Sequence, residues 1–400
     1  MKTHTIPAMH TEAPAQRSAR EPSAHAALWA GLFGLVAAMG IGRFSFTPLL
    51  PLMQQDAGLT LNQGSWLATA NYVGYLAGAL ASIAMAPSPR QAIRFGLAAI
   101  AVFTLGMGLT SDFWLWVFER FVGGAASAFV LVGVSNWALP LLTRRERAHW
   151  SGHVFAGVGV GIAFAGLIGL AAGVQHWGSQ VTWIVLGAIA GVLTIVLWPL
   201  LHGDAPAPAA AAAGAPVRFG RRAWITIVCY GIFGYGYIIP ATFLPAQARH
   251  YIDNPAVFGW IWPVFGTAAA ASTILIAQVA GRFTPRRLWV AGLWVLAAGV
   301  LAPVFVLNLV TLGLGALCVG GTFMIITMAG IQEARRIGGA HALRLTATMT
   351  AAFAIGQIVG PITVPLLAGL GGGLAWPSGL AALALLVSSV VLARLGDSDR

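Results

Sequence analysis

Twelve apolar windows recur along this chain, separated by short clusters of arginine. They fall at about 27–53, 64–86, 92–110, 113–140, 150–173, 181–201, 223–246, 256–280, 288–307, 309–332, 345–369 and 374–394. Each holds roughly twenty residues, the length a helix needs to cross the hydrocarbon core of a bilayer. Only Asn308 and its neighbours divide the ninth window from the tenth. Lipid offers the backbone no hydrogen-bond partner, so a spanning chain must be helical or form a closed barrel. Barrel strands would alternate over about ten residues, whereas these runs are continuously apolar. The expected fold is all-α, a polytopic membrane protein with twelve transmembrane helices.

The chain is 58% hydrophobic and 8% charged, against roughly 25% charged residues in soluble domains. A net charge of +11 could suit nucleic acid, but the arginines sit between apolar spans and line no polar face, so no nucleic-acid partner is expected. Their placement instead sets orientation. Loops on the side of the N-terminus carry Arg90, Arg94, Arg144–Arg147, Arg218–Arg222, Arg282–Arg287, Arg335, Arg336 and Arg344, while the opposite loops carry Arg249. Both termini are therefore expected in the cytoplasm; the expected location of the spans is a bacterial inner membrane. The first 25 residues are polar and meet the first span without a small-residue cleavage site, which reads as a tail and not a signal peptide. Most of the 15 tryptophans lie near span ends, as interfacial anchors do.

Cys229 and Cys318 lie inside spans without metal or disulfide spacing. His149 and His153 are four apart, but nothing beside them completes a metal site. No cofactor, no metal and no enzymatic activity are expected. A Gly-x-x-x-x-Gly-Lys motif is absent, which argues against an ATP-driven pump.

The longest interruption contains APAPAAAAAGAP, an Ala/Pro tract with nothing to bury. It divides the chain into a tail (1–26), a six-helix half (27–201), a linker (202–222), a second half (223–394) and a short tail (395–400). The halves echo each other. Gly40, Gly42, Leu50 and Pro51 recur 194 residues later as Gly234, Gly236, Leu244 and Pro245. Gly123, Gly124 and Gly133 recur 197 later as Gly320, Gly321 and Gly330. Two such halves are a transporter architecture, with the binding site near the bilayer midplane between them.

The layout resembles the major facilitator superfamily along the whole chain. GIGRFSFTPLLPLM (40–53), NYVGYLAGAL (71–80), ERFVGGAASAFVLV (119–132), HVFAGVGVGI (153–162), QEARR (332–336) and GQIVGP (356–361) are similar to its YbfB/YjiJ-like branch. Arg120 with Gly123 and Gly124 matches the superfamily's fourth-span arginine motif. Departures exist: Ser82 or Ile83 stands where the loop motif after the second span has aspartate, and Gly161 is followed by Ile162, not by the proline of many drug/proton antiporters. The resemblance implies a monomeric secondary transporter of a small organic solute, working by alternating access and exporting by proton exchange. Proton-coupled uptake of a small organic anion is the alternative; a channel or receptor-like protein would lack the two-half repeat.

Intramembrane charge marks the candidate site. Arg43 lies about ten residues below the outer end of the first span, and Glu119 and Arg120 about six or seven below that of the fourth, so all three share a depth. In the fold that the chain resembles, both spans line the central cavity. One arginine is expected to pair with Glu119 and the other to meet an anionic group, with Glu119 as the proton carrier. His153, on one face with Gly157 and Gly161, is a further coupling candidate. Asn71 and Tyr75 on the second span, Tyr237 (the repeat mate of Arg43) and Gln357 are expected to line the cavity. Pro48, Pro51, Pro240 and Pro245 are expected to bend the first and seventh spans. Glu333 and Arg335 are expected to gate at the cytoplasmic end of the tenth, Glu333 by pairing with an arginine of a neighbouring loop.

Overall fold

The computed structural model describes residues 22–202, 219–252, 254–279 and 282–395. Most of both tails and of the interhelical linker expected at 202–222 lies outside the described residues.

Among the described residues, twelve helices are long and apolar enough to span a membrane: α1 Ala24–Asp56, α2 Leu61–Met85, α3 Pro89–Leu109, α4 Phe113–Arg144, α5 Ala148–Val174, α6 Ser179–Leu197, α7 Arg221–Tyr251, α8 Pro255–Ile276, α9 Pro285–Phe305, α10 Leu309–Gly338, α11 Ala342–Ala368 and α12 Ala375–Arg394. They match the sequence windows one for one. The weakly marked break at Asn308 is real: its side chain accepts from the Thr311 amide at 2.9 Å while Thr311 Oγ1 accepts from the Asn308 amide at 3.1 Å. This reciprocal cap starts α10. Thr60 and Gln63 start α2 in the same way, and Asp112 caps α4 through the Leu115 amide at 2.7 Å. Helix α10 runs further than its apolar window, so Glu333 and Arg335 lie on its last turns.

Helix neighbours repeat with an offset of six. In the first half α1 packs on α5, α2 on α4 and α3 on α6; in the second, α7 packs on α11, α8 on α10 and α9 on α12. Small residues permit the closest approaches. A Cβ on Gly161 would sit 2.9 Å from the Gly40 Cα, and one on Gly234 would sit 3.0 Å from the Phe353 Cα. These are the same joint in the two halves. The halves meet through α2 with α11, α5 with α8, and α1 with α7. Thr47 Oγ1 donates to the Ala241 carbonyl at 2.8 Å, joining two positions 194 residues apart. That is the repeat offset, so the pseudo-two-fold axis passes between α1 and α7 at this level.

Contacts between the halves include Thr47 with Ala241, Tyr72 OH with Thr242 Oγ1 at 2.9 Å, and Arg249 with the Pro51 carbonyl. They lie toward the membrane face opposite the termini, where α7 is buried without a break from Gly236 to Pro245. Together these contacts close the way between the two halves at this level.

Helix α1 is not uniform. It is α-helical over Ala24–Leu35, π-helical over Val36–Phe44, and α-helical again over Phe46–Asp56. The expected distortion from Pro48 and Pro51 is thus accompanied by a wider turn before them. Proline has no amide proton, so Pro48 cannot claim the Phe44 carbonyl nor Pro51 the Thr47 carbonyl. A nine-residue π stretch is rare, and such stretches concentrate at functional sites.

Candidate functional site

The π stretch of α1 carries Arg43, which is 3% exposed. Its widened turns turn carbonyls outward, and neighbouring helices supply the donors. Ser127 Oγ on α4 reaches the Ala38 carbonyl at 2.7 Å. Arg120 donates through Nη1 to the Gly42 carbonyl at 3.3 Å and through Nη2 to the Arg43 carbonyl at 3.0 Å. Asn71 Nδ2 bridges α1 and α4, donating to the Gly42 carbonyl at 3.3 Å and the Arg120 carbonyl at 2.9 Å. Gly124 makes room for that bridge, since a Cβ there would press on the Asn71 backbone. Arg120 and Asn71 therefore hold the backbone that presents Arg43.

The Arg43 guanidinium faces the second half. Nη2 donates to Gln357 Oε1 on α11 at 2.6 Å, and Gln357 Nε2 donates to the Tyr237 hydroxyl on α7 at 2.5 Å. Arg43 and its repeat mate Tyr237 are thus joined through one carboxamide. The Tyr75 ring lies 3.7 Å from the Arg43 Cζ, within reach of a cation–π interaction. Tyr72 and Phe44 stand at 5.5 and 5.4 Å. The Tyr237 ring is stacked between Phe323 and Phe353, both with centroids 5.6 Å away and planes within 7°. Nε and Nη1 of Arg43 are buried and have no hydrogen-bond partner among the described residues.

Five sequence candidates therefore meet directly: Arg43, Arg120, Asn71, Tyr237 and Gln357, with Tyr75 against the guanidinium. The shared depth of Arg43 and Arg120 holds. The expected ion pair does not form. Glu119 is buried at 6% exposure, but it faces Gly106 on α3, and its Oε2 has no hydrogen-bond partner among the described residues. Neighbouring helix positions point about 100° apart; with Arg120 turned onto α1, Glu119 is carried away from both arginines. His153 also lies apart. It is exposed near the terminal-side end of α5, about 12 Å of helical rise from Gly161. Gly157 and Gly161, on its face, are buried against α1.

Sequence reading missed Tyr72, Thr47, Ser127 and the phenylalanines around Tyr237. Only the i+4 steps from Phe233 to Tyr237 and from Asn71 to Tyr75 hint at a shared face.

Glu333 meets the arginine of a neighbouring loop that was expected. Arg286 Nε donates to its Oε1 at 3.1 Å, and Arg336 Nε to its Oε2 at 2.9 Å. Arg335 is exposed, and Arg336 takes the place expected for it. Arg286 also reaches the Leu395 carbonyl. All of these belong to the second half, so the cluster ties α9, α10 and the end of α12 together. Glu333→Gln should cost about 1–3 kcal/mol, because it removes the carboxylate that the largely buried Arg286 meets through Nε. Arg336→Ala should cost under about 1 kcal/mol, because that side chain is exposed. Melting curves of the purified protein compare the two; equal losses would contradict the assignment.

Two pseudo-symmetric six-helix halves around a buried polar cluster are the architecture of membrane transporters of the major facilitator kind. The chain belongs to the family described as "Uncharacterised MFS-type transporter YbfB", whose model matches residues 35–393. Among curated proteins, it is 26% identical over 174 residues to the phosphoglycerate transporter protein of Salmonella typhimurium, covering 41% of this chain and 36% of that one. It is also 26% identical over 187 residues to the MFS-type transporter YceJ of Bacillus subtilis, covering 44% and 45%. The chain thus spans less than half the length of the curated relatives it matches. Among solved structures, a mutant of the nucleoside transporter NupG superposes with a TM-score of 0.72 at 12% identity, over 92% of this chain and 98% of that one. An inward-facing, unoccupied bacterial homologue of the human lysosomal transporter Spinster gives 0.67 at 15%, over 93% and 95%. At such identities these likenesses concern the fold.

Proposed function

We propose that this transporter carries a small organic anion, with Arg43 as the group that binds the negative charge. One observation carries the reading: Arg43 and Arg120 are buried at one level, and among the described residues neither is paired with a carboxylate. A buried charge without a countercharge is costly, and an anionic solute would supply one. The surroundings also favour an acceptor. Among the described residues Nε and Nη1 of Arg43 have no acceptor, and the Tyr237 hydroxyl, which accepts from Gln357, still has its own proton to give. The phosphoglycerate named for the Salmonella relative is an organic anion, which fits.

In this reading the solute moves with protons into the cell, the termini face the cytoplasm, and Glu119 carries the proton. Glu119 is buried well inside a span, and its Oε2 has no hydrogen-bond partner among the described residues. Uptake of an organic anion suits these side chains better than export by proton exchange.

Counterflow in proteoliposomes tests the substrate class, using 3-phosphoglycerate, short mono- and dicarboxylates, neutral sugars and amphipathic amines. Exchange is expected for anions; exchange of amines or sugars alone would refute the reading. Glu119→Gln should keep counterflow while losing acceleration by an imposed pH gradient. Unchanged acceleration would show that Glu119 is not the carrier.

A further inference from the structure

Gln357 sits on α11 in the second half, is 1% exposed, and holds Arg43 of the first half. An arginine only donates, so the carboxamide must turn its oxygen to Arg43. Its nitrogen then has to donate to Tyr237, which leaves the tyrosine proton unspent. The carboxamide oxygen is therefore a neutral acceptor placed against a buried cation, between two groups that could both donate to an anion.

We propose that Gln357 stands in for the substrate's anionic oxygen in the empty protein, and that substrate displaces it. The inference rests on the anion reading above. An ionised oxygen is a stronger acceptor for a guanidinium than a carboxamide is, so the exchange runs toward substrate. Because Arg43 and Gln357 belong to opposite halves, the exchange also breaks a bond between them. That bond lies beside the Tyr72–Thr242 and Thr47–Ala241 contacts that close the face opposite the termini. Occupancy of the site is thereby linked to opening of that face. Gln357 is a positioning and coupling residue in this scheme, and Arg43 remains the binding group.

Two ligand-free measurements test it. The first uses Ala241→Cys as a reporter, in protein with Cys229→Ala and Cys318→Ala. Ala241 is fully buried at the closed face, so a membrane-impermeant maleimide labels it only on opening. Gln357→Leu removes the bond between the halves and should raise the labelling rate about tenfold, the effect of losing one charge-assisted hydrogen bond. Gln357→Glu should lower the rate below that of the parent, because Arg43 and the spare Tyr237 proton can both bond the new carboxylate. Equal labelling of all three proteins would overturn the proposal.

The second is the melting temperature. Gln357→Glu should raise it, and the rise should vanish in an Arg43→Gln background. A fall on introducing the carboxylate, with Arg43 intact, would mean that Arg43 does not accept an anion where Gln357 stands. The two ideas fail separately. Counterflow without organic anions sinks the substrate class, whereas unchanged labelling sinks the role of Gln357 and leaves that class standing.

Discussion

Arg43→Gln should abolish transport without unfolding the protein. Truncating one member of a buried charge contact costs about 2–5 kcal/mol, or roughly 30-fold to several thousand-fold in binding. The substituted amide cannot offer an anion the charge, or the fixed fork of Nε and Nη1 donors that the guanidinium holds. Stability should move the other way or stay level. Replacing a buried, uncompensated charge by a neutral side chain removes a desolvation cost, and Arg120 and Asn71 still hold the π stretch by their own bonds to Gly42. Arg43→Lys keeps a charge but loses the planar fork that meets Gln357 and lies against Tyr75, so it should restore little transport. Uptake and melting temperature measured on the same preparations decide the matter. A drop in melting temperature that matched the loss of uptake would make Arg43 a packing residue.

Gly40→Val should have the reverse signature, losing folded protein first. Gly40 and Gly161 cross in close backbone contact, and neither tolerates a Cβ without movement of main chain. Overpacking a well-filled core costs about 1–3 kcal/mol when side chains can yield. Here the obstacle is backbone, so the loss should exceed about 3 kcal/mol. The branched side chain would also separate α1 from α5 within the π stretch, beside the site. Gly313 has open space around it, and Gly313→Ala should leave yield unchanged or improve it, since alanine favours a helix by up to about 1 kcal/mol over glycine. Monodisperse yield in size-exclusion chromatography compares the two. A well-behaved Gly40→Val protein would disprove the role of this crossing.

How far the site could be read in advance depends on what kind of fact each part is. Intramembrane charge and polarity are properties of single residues, and they singled out Arg43, Arg120, Asn71, Tyr237 and Gln357. Partnership is a property of pairs. Arg43 meets Gln357 across 314 residues, and no local spacing links them. Glu119 shows the same limit from the other side: its neighbour Arg120 made an ion pair near Arg43 reasonable, yet adjacency on a helix separates the two directions. The π stretch was also hidden. Gly40, Gly42, Pro48 and Pro51 make an α-helix uneasy there, but the wider turn persists because Ser127, Asn71 and Arg120, from other helices, satisfy its carbonyls.

The sequence by itself determined twelve spans in two related halves, because hydrocarbon leaves each span only its own backbone to bond with, and twenty apolar residues suffice to reveal it. Tertiary structure alone decided which buried groups face each other. In a membrane interior, apolar helix faces are nearly equivalent to lipid, so small-residue crossings and a few polar bonds set the rotation of every helix. Those rotations gave Arg43 to Gln357, turned Arg120 to the backbone of α1, and set Glu119 against Gly106 of α3.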